Sequence, residues 1–146
     1  MQKKPKLLLI LAAVVVTIVC ATLYFKVHQK VQTDTINTKT EIHVSSEKLV
    51  RAFIDNEPEA NNNYVEKAVE IKGVVKEVTF VNNRYSIFLN GGTEFSSVMC
   101  AMKEDQYKDI QNLKNGQSII LKGICKGFLM DVIFLDCILV NSLIDE

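Results

Sequence analysis

QSIILKGICKGFLMDVIFLDCILV, residues 117–140, is the stretch that decides the fold of this chain. Two runs rich in β-branched and aliphatic residues flank a short turn, which is the pattern of a β-hairpin. Each run carries one cysteine, Cys125 or Cys137, and glycines interrupt the first run at Gly123 and Gly127. We predict that this hairpin closes a small barrel.

The segments upstream of the hairpin supply three further strands and two helices. Ser45 or Ser46 can cap the first helix, and Pro58 fits either a break or the first turn of a second short helix. The predicted elements, in order, are a helix Glu47–Asn56, a strand Ala68–Val81 with a bulge after Lys76-Glu77, a hairpin turn Asn82-Asn83, a strand around Ile87, a strand Phe95–Met102 and a helix Lys103–Leu113. Three strands, a helix and two strands form the order of an OB-fold, a five-stranded Greek-key barrel. We therefore expect an all-β domain with added helices over residues 45–146.

The N-terminal region contains an uncharged stretch of 19 residues, Leu7–Phe25. A helix of this length, at about 1.5 Å per residue, reaches across the hydrocarbon core of a bilayer. The lysines that precede it slightly favour a cytoplasmic N-terminus. We predict a single-pass transmembrane anchor (or uncleaved signal) over residues 1–26 and a polar linker over residues 27–44. The domain then lies outside the cytoplasm, in the periplasm or the extracellular space.

Two other interpretations of the N-terminal region stay open. Cys20 follows an apolar run of suitable length for lipidation, although Val19 stands where a small residue is needed. Cleavage by a secretory peptidase is the third interpretation, and its best candidate position, Cys20-Ala21-Thr22, is poor. All three place the domain outside the cytoplasm.

The charges are unevenly distributed along a chain whose net charge is zero. The first 30 residues hold five lysines and no acidic residue. Residues 31–146 therefore hold 12 Lys and Arg against 17 Asp and Glu, a net charge of −5. A field of this sign repels the phosphate backbone that nucleic-acid-binding proteins attract with clustered basic residues. The charge argues against nucleic acid as the partner.

The cysteines are the most chemically suggestive side chains of the domain. A turn centred near Asp131 places Cys125 and Cys137 about opposite each other, and an oxidising compartment favours a disulfide between them. A Cys100–Cys137 disulfide is the alternative, and buried free thiols are the third possibility. There is no C-x-x-C motif, and both histidines of the chain lie upstream of the predicted domain, so we predict neither a metal site nor a cofactor.

A small polar site is conceivable where the first helices meet the barrel. Asn56, Glu57, Tyr64 and Lys67 supply its hydrogen-bonding groups, although a structural role in joining helix to barrel is the favoured interpretation. The sequence has no nucleophile, metal-protease or phosphate-loop motif. We therefore predict that the protein is not an enzyme.

The chain resembles the tRNA-anticodon-like OB-fold proteins of bacteria, many of which are exported or lipid-anchored. The resemblance covers about residues 46–141, and it departs from the family at Pro58 and at Glu66, where a glycine is expected. The residues that carry it are Asn56-Glu57, Ala60, Tyr64, Lys67, Gly73-Val74-Val75, Cys100, Leu113, Gly116, Gly123, Cys125, Gly127, Val132 and Cys137. It implies the OB-fold much more than it implies a function.

The predicted function is that of a non-enzymatic binding module of the cell envelope. The membrane holds it through Leu7–Phe25, and the ligand is an unknown envelope protein, peptide or glycan. The alternative, from the fold alone, is single-stranded nucleic acid bound on the second and third barrel strands. The side chains available for it are Arg84, Tyr85, Phe88 and Lys103. A third possibility is an accessory subunit that stabilises a membrane complex.

Overall fold

The computed structural model describes residues 14–22 and 42–143. The chain divides into two compact units, residues 1–32 and residues 33–146. In the first unit, residues 14–22 are helical. Within the described ranges, no helix has the length and apolar character needed to cross a membrane. The rest of the predicted anchor and most of the predicted linker lie outside the described residues.

The second unit contains six strands and three short α-helices in its described part. One 3-10 turn, Glu104–Gln106, directly precedes the third helix. The elements are β1 Ile42–Ser45, α1 Ser46–Asp55, α2 Glu57–Tyr64, β2 Ala68–Val81, β3 Arg84–Asn90, β4 Ser97–Met102, α3 Tyr107–Ile110, β5 Ser118–Phe128 and β6 Val132–Leu143.

Strands β2 to β6 form a closed five-stranded barrel. The strand order is β1-β2-β3-β4-β6-β5, and an additional pairing of β2 with β5 closes the sheet. The β4–β6 pairing is parallel, whereas the β2–β3, β3–β4, β5–β6 and β2–β5 pairings are antiparallel. This order, with a helix between the third and fourth barrel strands, is that of the predicted OB-fold. Strand β1 is an addition that pairs in parallel with β2 and includes residues 42–44 of the predicted linker.

Two helices precede the barrel. The side chain of Ser45 caps α1 by accepting a hydrogen bond from the backbone N–H of Lys48 at 3.3 Å. Leu49, Val50 and Phe53 recur at helical spacing and are fully buried, so this face of α1 joins the barrel core. Helix α2 begins at Glu57 and has a proline in its first turn, which confirms the second of the two interpretations of Pro58.

The core is the apolar interior of the barrel, extended by the buried face of α1. Side chains alternate between the two faces of a strand, and the inward positions are aliphatic, aromatic or cysteine. The largest fully buried side chains are Phe53, Phe134, Leu49, Ile71, Ile87, Leu89, Ile110, Ile119, Leu121, Val50, Val69 and Val75.

A glycine allows α1 to start against the barrel wall. A Cβ atom added at Gly73 would lie 2.6 Å from the Oγ atom of Ser46, so no larger residue fits there without movement. The Ser46 hydroxyl donates a 2.6 Å hydrogen bond to the backbone carbonyl of Asn90. The glycine in the middle of β2 is thus explained by the first residue of α1, which lies directly against it.

Two local predictions are confirmed, and one predicted helix is longer than the helix observed. The β2–β3 ladder shifts register between Val75 and Glu77, where a bulge was expected, and Asn82-Asn83 forms the turn with both φ angles positive. The helix predicted over Lys103–Leu113 is limited to the 3-10 turn and the single turn of α3. Its apolar residues recur every three positions, and that spacing is also the period of a 3-10 helix.

Candidate functional site on the outer barrel face

The disulfides predicted from the sequence are not formed. Cys100, Cys125 and Cys137 are all free and fully buried. Both the Cys125–Cys137 prediction and its Cys100–Cys137 alternative are therefore corrected by the structure. The thiols pack as small apolar groups, which is the third possibility that the sequence left open.

The register of the closing hairpin explains why Cys125 and Cys137 do not pair. Cys125 lies opposite Phe134, and the β5–β6 ladder shifts register at three places. One shift accompanies Asp136, whose φ of 53° marks an extra residue in β6. Cys137 instead faces Gly123, where an added Cβ atom would lie 2.5 Å from its Sγ atom.

Burial lowers the reactivity of the Cys125 and Cys137 thiols. Desolvation raises the pKa of the Cys125 thiol to about 11. Burial also raises the pKa of Cys137, and a hydrogen bond with the Cys100 side chain acts in the same direction. Because the thiolate is the reactive form, the inner face of the barrel offers no activated nucleophile at these cysteines.

Three of the four residues of the predicted polar site make structural contacts within the helices and the core. Asn56 ends α1 and caps α2, with its amide donating to the Glu59 carboxylate at 2.9 Å. The ring of Tyr64 lies 6.1 Å from that of Phe53 in the core. Lys67 donates to the backbone carbonyl of Asn62 at 2.8 Å.

Glu57 is exposed in the first turn of α2, where a carboxylate stabilises the helix dipole. Asn56, Tyr64 and Lys67 thus have structural partners, which supports the structural interpretation of this group. A ligand site at these four residues stays a prediction.

A row of apolar side chains crosses the outside of the barrel on three adjacent strands. Phe88 of β3 is paired with Met99 of β4, and Met99 is paired with Ile133 of β6. Their chain neighbours Ile87, Leu89, Val98, Cys100, Val132 and Phe134 are buried in the core. Strand alternation therefore directs the three side chains outward, where each is only partly covered. We call Phe88, Met99 and Ile133 the outer apolar row.

A polar network borders the outer apolar row. Lys76 is the extra residue of the β2 bulge, and its ammonium group donates to the Ser97 hydroxyl at 3.2 Å. The backbone N–H of Ser97 donates to the Asp131 carboxylate at 2.6 Å. These bonds connect β2, β4 and the β5–β6 turn, so they fix the shape of the surface beside the row.

Acidic groups flank the same surface. Glu77 is paired with Phe88 across the β2–β3 ladder, so it extends the row on the β2 side. Asp131 lies at the β6 side. Of the nearby basic groups, Lys126 is bound to the Glu66 carboxylate at 2.7 Å. The outer face therefore combines an apolar centre with charges of both signs at its borders.

The aromatic residues considered for stacking have separate roles. Tyr85 belongs to a cluster at the other end of the barrel, with its ring 4.5 Å from Phe80 and 4.9 Å from Tyr107. The Tyr107 hydroxyl donates to the carbonyl of Asn83, which ties α3 to the β2–β3 turn. Of the two aromatic rings proposed for stacking, only that of Phe88 lies on the outer apolar row.

Sequence reasoning missed Met99, Ile133 and the polar network. The alternation of β3 could have identified Phe88 as outward-facing, because its aliphatic neighbours Ile87 and Leu89 are the natural core positions of that strand. Met99 and Ile133 look like ordinary members of buried apolar runs. Within the described residues, no group of three or more His, Cys, Asp and Glu is placed to hold a metal ion.

The closed barrel and its strand order define an OB-fold protein. Residues 1–139 match the model of the tRNA_anti-like family, and the chain belongs to that family. The resemblance inferred from the sequence is therefore confirmed.

Solved structures share the fold at low identity. A proposed nucleic acid-binding lipoprotein from Klebsiella pneumoniae subsp. pneumoniae MGH 78578 is 14% identical, with a TM-score of 0.55 over 77% of this chain and 100% of that one. Asparaginyl-tRNA synthetase from Pyrococcus horikoshii is 15% identical, with a TM-score of 0.43 over 56% of this chain and 20% of the synthetase. No curated protein has a significantly similar sequence. The likeness to the lipoprotein, whose TM-score is above 0.5, shows a shared fold and no more.

Proposed function

We propose that this protein is a non-enzymatic binding module of the cell envelope that takes a protein or peptide partner on its outer barrel face. The segment Leu7–Phe25 tethers it to the membrane, and the barrel lies outside the cytoplasm. The observation that carries the proposal is the outer apolar row, in which Phe88, Met99 and Ile133 stay partly exposed side by side. Aromatic residues and Met are enriched at the centres of protein interfaces.

The energetics of the row suit a modest, specific interaction. Full burial of a large apolar side chain is worth about 1.5–3 kcal/mol, so completing the burial of side chains that are already mostly covered adds at most about 0.5–1 kcal/mol each. The Lys76–Ser97–Asp131 network supplies fixed polar groups at the border of this apolar centre. An apolar centre with a polar border is the usual anatomy of a binding surface.

Single-stranded nucleic acid is the second candidate. One specific observation favours it, because the Phe88 ring and the nearby Lys76 provide the minimum of a stacking platform and a cation. The structural neighbour from Klebsiella pneumoniae is itself a proposed nucleic acid-binding lipoprotein. Against it stand Glu77 and Asp131 at the borders of the row and the net charge of −5 over residues 31–146. These carboxylates repel phosphates, so a protein or peptide is the better supported partner.

Crosslinking in intact cells tests the proposal. A lysine-reactive reagent is applied to cells that express the full chain, and mass spectrometry identifies the crosslinked peptides. We expect partner peptides on Lys76 and Lys126, which border the outer face, and fewer on the exposed Lys114 beyond α3. A variant with Phe88→Ser and Met99→Ser should lose these crosslinks while it still unfolds in one cooperative transition, at a somewhat lower temperature. The same crosslinks in both proteins would contradict the proposal.

A gel-shift assay tests the alternative. The purified full chain in detergent is titrated into a short single-stranded RNA at moderate salt. We expect no shift. Salt-sensitive binding that Phe88→Ser removes would reverse the order of the two candidates.

A further inference from the structure

We propose that one end of the barrel, formed by Phe95, Leu129 and Met130, inserts into the interface of the lipid bilayer. We call these three residues the apolar tip. The inference rests on the membrane attachment proposed above. It adds a second, peripheral contact of the barrel with the membrane.

The apolar tip is the most exposed apolar surface of the barrel. Phe95, Leu129 and Met130 are 80%, 78% and 73% exposed, the highest values among the large apolar side chains of the described residues. Single exposed apolar residues are ordinary, but three on neighbouring loops mark an interaction site.

The two loops of the tip are held next to each other. Phe95 lies in the β3–β4 loop, and Leu129 and Met130 form the β5–β6 turn. The hydrogen bond from the Ser97 backbone to Asp131, at 2.6 Å, joins the two loops. A further bond from the Leu129 N–H to the Asp131 carbonyl, at 3.1 Å, closes the turn. The side chains are thus presented by a fixed scaffold, which lowers the entropy lost on insertion.

The path of the chain argues for a lipid bilayer as the occupant. Strand β1 runs parallel to β2, with Ile42 beside Val69, and the neighbouring Ala68 is paired with Ile124 of β5. From that point β5 continues directly to the β5–β6 turn. The polypeptide therefore enters the barrel at the end that carries the apolar tip. The apolar segment Leu7–Phe25 ends 16 residues before β1 begins.

Tethering makes a weak insertion sufficient. Two groups joined by a linker that can span the distance between them meet at an effective concentration on the order of millimolar, so three apolar side chains need not bind lipid tightly on their own. The carboxylate of Glu94 precedes Phe95 and repels anionic headgroups. We therefore expect insertion into zwitterionic lipid, with less insertion as anionic lipid is added.

The absence of tryptophan from the chain provides a direct test. Phe95→Trp places a fluorophore at the tip, and Phe80→Trp is its matched control at the opposite end of the barrel, where Phe80 is 53% exposed. Each full-length variant is reconstituted into phosphatidylcholine vesicles with and without brominated acyl chains. We expect bromine to remove most of the Phe95→Trp emission and to leave that of Phe80→Trp nearly unchanged. Adding Leu129→Ser and Met130→Ser to Phe95→Trp should restore most of the emission.

Vesicle flotation separates the two proposals. If the chain fails to float with the vesicles, the membrane attachment itself is wrong. If it floats but bromine affects the two single-Trp variants equally, the attachment stands and the inserted tip is contradicted. Quenching of Phe95→Trp by aqueous iodide in the vesicles would contradict the tip as well, and would point to a soluble partner or a second copy on this surface.

Discussion

Phe134 and Phe88 are the same residue type on opposite faces of one barrel wall. Phe134 is fully buried among the core side chains, whereas Phe88 points outward and remains partly exposed beside Met99. The inner face also holds the three buried free thiols, which pack among the core side chains. Apolar character alone therefore does not show whether a side chain stabilises the core or is available to bind a partner. The side of the strand on which a residue lies makes that distinction.

The largest effect is expected from the phenylalanine pair itself. Phe134→Ala should lower the free energy of unfolding by about 3–5 kcal/mol, because it opens a cavity in the core. Phe88→Ala should cost less, about 1–2 kcal/mol, since the outward-facing side chain is partly exposed and its loss leaves no enclosed cavity. Chemical denaturation of both variants measures the difference. Equal losses would contradict the assignment of the two faces.

The pH dependence of stability tests the burial of Cys125. Its pKa is raised from 9.0 to about 11, so the unfolded chain loses this proton first as the pH rises. The stability that this buried thiol contributes is therefore fully present below pH 9. It is lost between pH 9 and 11, and the loss is about 3 kcal/mol at most.

Other groups titrate in the same range, so Cys125→Ala serves as the control in parallel denaturation series. The difference in stability between wild type and the variant should shrink as the pH rises. A constant difference from pH 8 to 11 would show that the thiol is not desolvated.

Gly123 tests how closely the inner face is packed. Gly123→Ala should destabilise the fold by about 1–3 kcal/mol, because its Cβ would lie 2.5 Å from the Cys137 sulfur. Cys137→Ala removes that sulfur, and the double variant should be more stable than the sum of the two single losses predicts. Strict additivity in thermal unfolding would exclude the contact.

Glu66 is expected to give the smallest effect, at the point where the chain enters β2. Its φ of 62° is unfavourable for a residue with a side chain, and the family resemblance leads us to expect a glycine there. Glu66→Gly should stabilise the fold by up to about 1 kcal/mol relative to Glu66→Ala, which loses the Lys126 ion pair equally but keeps the strained conformation. If the two variants unfold at the same denaturant concentration, the strain is absent.

The order of the barrel strands could be predicted because it depends on local signals. Alternation in Ala68–Val81, the Asn82-Asn83 turn and the apolar runs of the closing hairpin are each visible in a short window. The bulge in β2 was also visible, as a change of phase after Lys76 and Glu77. Even the expected glycine at position 66 agrees with the left-handed backbone that Glu66 adopts.

The pairing of distant residues could not be predicted in the same way. The prediction that Cys125 lies opposite Cys137 was wrong because register shifts, such as the one at Asp136, depend on both strands and on their neighbours. Strand β1 has four residues and forms only against β2, so it looked like linker. The contact between Lys76 and Ser97 spans 21 positions and follows from the bulge in three dimensions.

Photocrosslinking from Met99 tests whether a protein partner binds the outer apolar row. A photoreactive amino acid is placed at Met99 on the outer face or at the exposed Asn112 beyond α3, and intact cells are illuminated. We expect a discrete adduct from position 99 that protease removes and nuclease does not. We expect no such adduct from position 112. Equal labelling from both positions, or an adduct that nuclease removes, would contradict a protein partner on the outer apolar row.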